Sequence, residues 1–384
     1  MLGINTNINS LVAQQNLNGS QSALSQAITR LSSGNRINSA ADDAAGLAIA
    51  TRMQTQINGL NQGVQNTNSA VSLIQTASSQ LSALTTSLQR ISTLATEAAN
   101  GTLSQSDQVA AQQEVADQIA EVNRIASQTN FNGKNLLDGS AGIVTFQVGA
   151  NVGQTVTLDL SQSLSAAKIG GGLVQSGQTV GTIQGLSLDA NGAATTAAQP
   201  AITSVNVLSD GKGGFTFTDQ NGQALSASAV STIFTAGTAA GTGTAVTNLT
   251  LASGATSGMT TAQASAATQM VSQINAVNAP PTVSNLSISN ATGANQTIFS
   301  VANALATINN LQATLGATQN RLQAVAQTQQ ANSTNLSSAQ SQIQSADFAQ
   351  ETANLSKAQV LQQAGISVLA QANSLPQQVL KLLQ

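Results

Sequence analysis

The sequence predicts a mainly α-helical protein with a β-rich insertion. Its ends are expected to form an α-helical coiled coil or bundle, joined to a β-hairpin and a small β-rich domain. At both ends, apolar residues recur at alternating spacings of three and four. Over residues 144–160 the period switches to two. From about 165 to 298 helical periodicity gives way to Gly, Thr, Ser and Ala.

The first helix is expected over about residues 4–33. Leu17, Leu24 and Leu31 recur every seven positions beside Ile28, and Gly34-Asn35 supplies a stop. Ser39 with Asp42 and Asp43 reads as the N-cap and acidic first turn of a long second helix. Its seam is Ile57, Leu60, Val64, Thr67, Val71, Ile74, Ala77, Leu81, Leu84, Leu88, Ile91, Ala95 and Ala98. The spacings alternate three and four with one extra three after Ile74, a coiled-coil seam with a stammer. Asn100-Gly101 ends it. Ser104 and Asp107 form a capping start for a third helix over about 104–128, lined by Val115, Ile119, Val122 and Ala126. Asn132-Gly133 marks a turn. Val144, Phe146 and Val148, then Val156, Leu158 and Leu160, alternate with polar residues and make a hairpin.

In the middle, Phe215-Thr216-Phe217-Thr218 followed by Asp219-Gln220-Asn221-Gly222 predicts strands and tight turns. A small β-rich domain is expected there rather than disorder. Pro280-Pro281 lies near its exit. Helical spacing returns at Phe299 through Val301, Leu305, Ile308, Leu311, Leu315, Leu322, Val325, Leu336 and Ile343. It continues to about 373, and Pro376 is expected to interrupt the end. Both ends are amide-rich and nearly uncharged, and each carries an apolar stripe that a lone helix cannot bury. The simplest arrangement pairs them, with the middle looped out.

Residue usage narrows the function. No charge precedes Arg30. A secretory signal needs a basic leader and a continuous apolar run, and a spanning helix needs about 20 mostly apolar residues. Here Leu2, Ile4, Ile8, Leu11, Val12, Leu17, Leu24 and Ile28 are scattered among Asn, Gln and Ser, so neither is expected. The chain has no Cys and no His, which removes disulfides, thiolate sites and the commonest general base and zinc ligand. No cofactor or metal is expected. Net charge is −3 and no Lys/Arg cluster occurs, which argues against nucleic acid. Only 7% of residues are charged, against about 25% in ordinary soluble domains. Amides and hydroxyls can be buried in hydrogen-bonded pairs without desolvating a charge. Such a surface suits repeated contact with copies of itself.

The stretches INTNINSLVAQQNL, RLSSGNRINSAADDAAGLAIA, QTNFNGKNLLDG and FQVGANVGQTVTLDL resemble the N-terminal part of flagellin, the subunit of the bacterial flagellar filament. LGATQNRL, NLSSAQSQIQSADFAQE and SKAQVLQQAGISVLAQANSLPQQVLKLLQ resemble its C-terminal part. The resemblance covers about 1–165 and 299–384, and the middle shows no match. It implies an inner-tube helical domain (D0-like) from 1–40 and 346–384. It implies a bundle with the hairpin (D1-like) from 41–165 and 299–345, and a variable outer β-rich domain at 166–298.

The implied function is self-assembly into a helical filament outside the cell for swimming motility. Export would run through a flagellar type III channel without a cleaved signal peptide or membrane insertion. Implied partners are many identical subunits, an export chaperone, the filament cap, hook-junction proteins and host flagellin-sensing receptors. Self-assembly would rest on Leu2, Ile4, Ile8, Leu11, Leu17, Leu24, Ile28, Leu361, Val368, Leu369, Leu375 and Leu380. By resemblance, Arg90, Leu94 and Glu114 form the patch read by a Toll-like receptor; QRISTLAT keeps Arg90 and Leu94 but departs at Ile91, Ser92 and Thr93 from the QRVRELAV form. Also by resemblance, Val379, Leu380, Leu382 and Leu383 form the tail read by inflammasome sensors. Just before SADFAQE, Gln340, Gln342 and Gln344 depart from the family's charged residues, and within it Phe348 departs from Tyr, which favours amide and apolar contacts over ion pairs.

Rival readings are weaker. A flagellin-type zinc peptidase needs H-E-x-x-H, which a chain without His cannot supply. Asp159, Asp189, Asp210 and Asp219 are isolated in sequence, so paired-carboxylate catalysis is not expected. Ser209–Gly214 lacks phosphate-loop spacing and reads as a turn. A hook–filament junction protein of the same family is the alternative, and an adhesive role for 166–298 would be additional.

Overall fold

A computed structural model of the chain describes residues 7–196, 199–236, 249–257 and 259–382, with the backbone alone for 375–382. The chain forms two compact units. Of the described residues, one takes those within 1–68, 147–155 and 323–384, and the other those within 69–146 and 156–322. Two long helices, α2 (Ala44–Ala99) and α6 (Ala291–Gln344), contribute to both.

In the first unit, α1 (Ile8–Ser33) lies antiparallel to α7 (Phe348–Leu382). Asn7 caps α1 by accepting from the Ser10 N–H, and Gly34 closes it in the left-handed region at φ 71°. Predicted residues 4–6 lie outside the described part of this helix. The pairing of the two ends is therefore as expected. Two starts and stops differ. The cap of α2 is Asp43, which accepts from the Gly46 N–H, and not Ser39. Asp42 instead accepts from the Asn38 and Ser39 N–H groups and holds the connecting turn. Those bonds, with the Ser39 hydroxyl bond first among the causes, keep the Asp42 carboxyl below its ordinary value.

The other difference is at Pro376, where α7 continues to Leu382 instead of stopping. A proline lacks the N–H that would bond the carbonyl four residues back. That carbonyl, on Ala372, accepts instead from the Asn7 side-chain N–H at 2.7 Å. The N-cap residue of α1 thus satisfies the gap that Pro376 leaves.

Also in this unit, the tip of the hairpin rests on α2 at Gly59 and Gly63. A Cβ at Gly63 would collide with the Val148 carbonyl, so only glycine permits this approach. The Asn66 side chain donates to the Gln147 carbonyl beside it. Side-chain hydrogen bonds join α2 to α6, with Ser333 donating to Asn61 and Gln340 to the Ala50 carbonyl.

In the second unit, the predicted α2 seam is buried from Ile74 to Ala98. Ala70 and Leu73, outside that seam, are buried as well, so more than one face is covered near the stammer. α3 (Gln105–Gln128) starts with the expected Ser104–Asp107 capping box and buries Val115, Val122 and Ala126. Asn130–Phe131 (β1) and Lys134–Asn135 (β2) flank Asn132-Gly133, both at positive φ, as a two-residue hairpin turn requires. Gly142–Gln147 (β3) pairs with Thr155–Leu160 (β4) in the expected hairpin, burying Val156, Leu158 and Leu160.

The middle region is folded, as expected, around an antiparallel sheet of β5 (Thr179–Leu188), β6 (Ile202–Ser209) and β7 (Phe215–Asp219). A second pair joins β8 (Phe234–Ala236) to β9 (Thr250–Leu251). Helical structure, however, does not vanish there. α4 (Ala227–Ile233) and the 17-residue α5 (Thr261–Val277) are present. α5 buries Ala267, Val271, Ile274 and Val277 against β5, a helical stripe that the surrounding Ala, Ser and Thr obscure. α6 likewise begins at Ala291, eight residues before the expected Phe299. The core includes stacked rings of Phe217 and Phe234, 4.7 Å apart.

Candidate assembly surface

The α1–α7 pair makes its internal seam from small side chains. Ala13 and Ala27 are buried on α1, Ala358 and Ala372 on α7. Each methyl contributes about 0.8 kcal/mol, which cannot offset ordering helices that cost about 1–2 kcal/mol per residue. Most of the larger apolar residues are exposed, although Leu17 packs against Gly365 across the seam. Ile8, Leu11 (64% exposed), Val12 and Ile28 on α1, and Val360 (65%), Leu361, Ile366 and Val368 on α7, stand in solvent. Leu17, Leu24 and Leu369 are half-buried. A groove of about 530 Å³ runs between Gly19 and Ala23 on α1 and Ala364 and Gly365 on α7. A second, of about 320 Å³, continues past Ala23 and Leu361 to Arg30 and Glu351.

Of the predicted assembly residues, Leu2 and Ile4 lie outside the described residues. Leu375 and Leu380 lie on the backbone of α7, where side chains are not described.

Arg30, the single charge on α1, is not left alone. Its guanidinium donates to the Glu351 carboxylate at 3.2 Å and stands 3.9 Å from Asp42. Glu351 is buried, so the pair joins the two helices in a shielded position. Within SADFAQE one ion pair therefore persists, although amides replace charges nearby. Just beyond it the connecting segments clasp. The Arg36 N–H donates to the Gln344 carbonyl, the Ala346 N–H to the Gly34 carbonyl, and the Arg36 guanidinium to the Ile343 carbonyl.

The predicted receptor patch lies in the second unit. Arg90 on α2 donates to Glu114 on α3 at 2.6 Å, with both side chains largely exposed. That hydrogen bond, then the carboxylate's charge, raises the Arg90 pKa, and the same bond lowers that of Glu114. Leu94 is only 4% exposed. In the predicted tail, Val379, Leu380 and Leu382 lie on helical backbone without described side chains, and Leu383 lies outside the described residues.

The isolated carboxylates are engaged locally. Asp189, Asp210 and Asp219 each accept from the N–H groups two and four residues on, one turn geometry used three times. Asp159 accepts from the Ser161 hydroxyl and N–H, which lower its pKa. The Ser209–Gly214 stretch is thus a turn, as expected. Among the described residues, no helix is long and apolar enough to cross a membrane.

Comparison with known proteins agrees with this architecture. The bacterial flagellin N-terminal helical region matches residues 4–142, and the bacterial flagellin C-terminal helical region matches 298–383. The flagellin D2 domain matches 172–277, which corrects the expectation that the middle matches nothing. That domain is constrained by alternating burial, which many Thr, Ser and Val choices satisfy, so no long motif survives for the eye. The chain is 35% identical to the B-type flagellin of Pseudomonas aeruginosa over 487 aligned residues, covering 100% of each. It is 35% identical to flagellin E of Vibrio cholerae over 397 residues, covering 99% of each. The solved structure of FliC from Burkholderia pseudomallei is 61% identical, covering 66% of this chain and 99% of that one, with a TM-score of 0.60. With such relatives along its whole length, the chain belongs to the flagellin family.

Proposed function

We propose that the chain is the structural subunit of a bacterial flagellar filament outside the cell, and that it polymerises through the α1–α7 pair. The observation that carries this is the row of exposed large apolar side chains on two helices whose buried apolar side chains are alanines. Neighbouring copies would cover that row. At about 25 cal/mol per Å², a few hundred Å² of apolar area per contact supplies several kcal/mol before association costs. The scarcity of charge follows, since an unpaired charge buried there would cost several kcal/mol. Residues 1–40 and 346–384 would form the inner tube, 41–165 and 299–345 the packed layer around it, and 166–298 the outward domain.

Deleting residues 1–30, or 355–384, should leave a folded monomer that forms no filaments by electron microscopy. Filaments from either truncation would overturn the proposal.

The exposed Arg90–Glu114 pair, with the buried Leu94, is the proposed innate-receptor patch. An Arg90→Asp monomer should lose signalling in a reporter cell, and full signalling would refute that role. The tail Val379, Leu380, Leu382 and Leu383 is proposed for inflammasome sensing. The export chaperone is expected on α7 before assembly, and the cap and junction proteins at the filament's ends.

A further inference from the structure

Six Asn-Gly pairs occur in the chain, at Asn18, Asn58, Asn100, Asn132, Asn191 and Asn221. Glycine after asparagine removes the Cβ that would hinder attack of the following backbone nitrogen on the Asn side chain. Sequence alone therefore marks all six as equal candidates for spontaneous deamidation. The fold makes them unequal.

Asn18-Gly19 and Asn58-Gly59 lie inside α1 and α2, where the helix ladder holds each glycine N–H. The Asn58 side chain also accepts from Gln54. The Gly133 N–H donates to the Asn130 side chain at 2.9 Å. The Gly192 N–H donates to the Asp189 carbonyl at 3.0 Å, and Gly192 is pressed against Ala229. The Gly222 N–H donates to the Asp219 carbonyl at 3.1 Å, and the Asn221 side chain donates to the Asp219 carboxylate.

Asn100-Gly101 differs in how its glycine N–H is held. It lies just past the end of α2, both residues are exposed, and the Gly101 N–H has only a 3.4 Å contact to the Ala98 carbonyl. Nothing lies within 4 Å of where a Gly101 Cβ would be, so the loop has room to turn.

We propose that Asn100 is a modification site, converting spontaneously to aspartate and isoaspartate ahead of the other five. The deprotonated Gly101 nitrogen attacks the Asn100 Cγ. The N–Cγ bond forms, the Cγ–Nδ2 bond breaks, and ammonia leaves with the proton. Water then opens the five-membered imide at either carbonyl, so one water is consumed and one ammonia released. The new carboxylate sits at the C-terminus of α2, one turn after Glu97, where the helix dipole already places negative charge. Ageing of the protein would thus loosen the last turn of α2.

The test is peptide mapping by mass spectrometry, with isoaspartate detection, on the purified full chain held at mildly alkaline pH. In the native chain, Asn100 should convert about tenfold faster than the other five, whose glycine N–H groups must first break a bond. In denaturant the six rates should converge. Equal rates in the native chain, or Asn100 lagging any other pair, would overturn the proposal. So would a lead of Asn100 that persists in denaturant, since the fold would then not be its cause. Asn100→Asp should melt below Asn100→Gln, and equal melting would remove the structural consequence.

Discussion

The stretch of α2 from Ile74 to Ala98 and the α1–α7 pair are both long, amide-rich helical segments, yet they end in opposite states. In α2, Leu81, Leu84, Leu88 and Ile91 are wholly buried within the chain. Among the described residues of α1 and α7 the buried apolar side chains are all alanines, and Leu11, Ile28, Val360 and Val368 are left in water. The first region is a finished core and the second is half of one. The difference teaches that large side chains at a seam complete a fold, while small ones at the seam leave the large ones in water, where the proposed contact with other copies would cover them.

The sharpest way to break the comparison is a pair of equal truncations. Leu84→Ala should destabilise the monomer by about 2–5 kcal/mol through the cavity it leaves. Leu11→Ala should shift monomer stability by no more than about 0.5 kcal/mol while lowering the rate of seeded elongation. Thermal melting and light scattering measure the two. Similar melting losses would erase the distinction.

Next is the buried pair at the base of the terminal helices. Glu351→Gln leaves Arg30 without its close partner and should cost about 1–3 kcal/mol in the α1–α7 pair. The exchange Arg30→Glu with Glu351→Arg should recover part of the loss, read as helical circular dichroism of the terminal segments. No recovery would mean that local packing, not the ion pair, holds this end.

A smaller effect is expected at the opposite end. Asn7→Ala should cost about 1 kcal/mol as a lost cap. In a Pro376→Ala background it should cost less, because residue 376 then supplies its own N–H to the Ala372 carbonyl. Equal costs in both backgrounds would dissolve that coupling.

The smallest effect belongs to the exposed Arg90–Glu114 pair. The Arg90 hydrogen bond holds the Glu114 carboxyl below its ordinary value. A lowered folded value means that the contribution is complete above the ordinary carboxylate range and is lost as pH falls through the lowered value. The melting difference between the native chain and Glu114→Gln should therefore be slight at neutral pH and vanish in acid. A difference that grows in acid would give the wrong sign.

Much of this was legible in residue order. The α2 seam, the Ser104 capping box, the Asn132-Gly133 turn and the hairpin all follow from patterns within a few residues. What escaped were features whose cause lies elsewhere in the chain. α5 was hidden because its stripe of Ala267, Val271 and Ile274 becomes distinctive only when β5 covers it. Helix beyond Pro376 was missed because the donor that satisfies Ala372 sits on Asn7, at the other end of the chain. In the assembly surface, the sparse apolar stripes were readable, but which of their members would stay exposed was not.

The sequence by itself determined a helical, charge-poor protein with paired ends and a β-rich insertion, because periodicity and capping are local and act on neighbouring residues. Only the tertiary structure decided that alanines take the seam of α1 and α7, that Arg30 meets Glu351, and that Asn100 alone among six like pairs has a loosely held neighbour. Those outcomes depend on which face each helix turns to a partner hundreds of residues away, and a distant partner leaves no mark on local spacing.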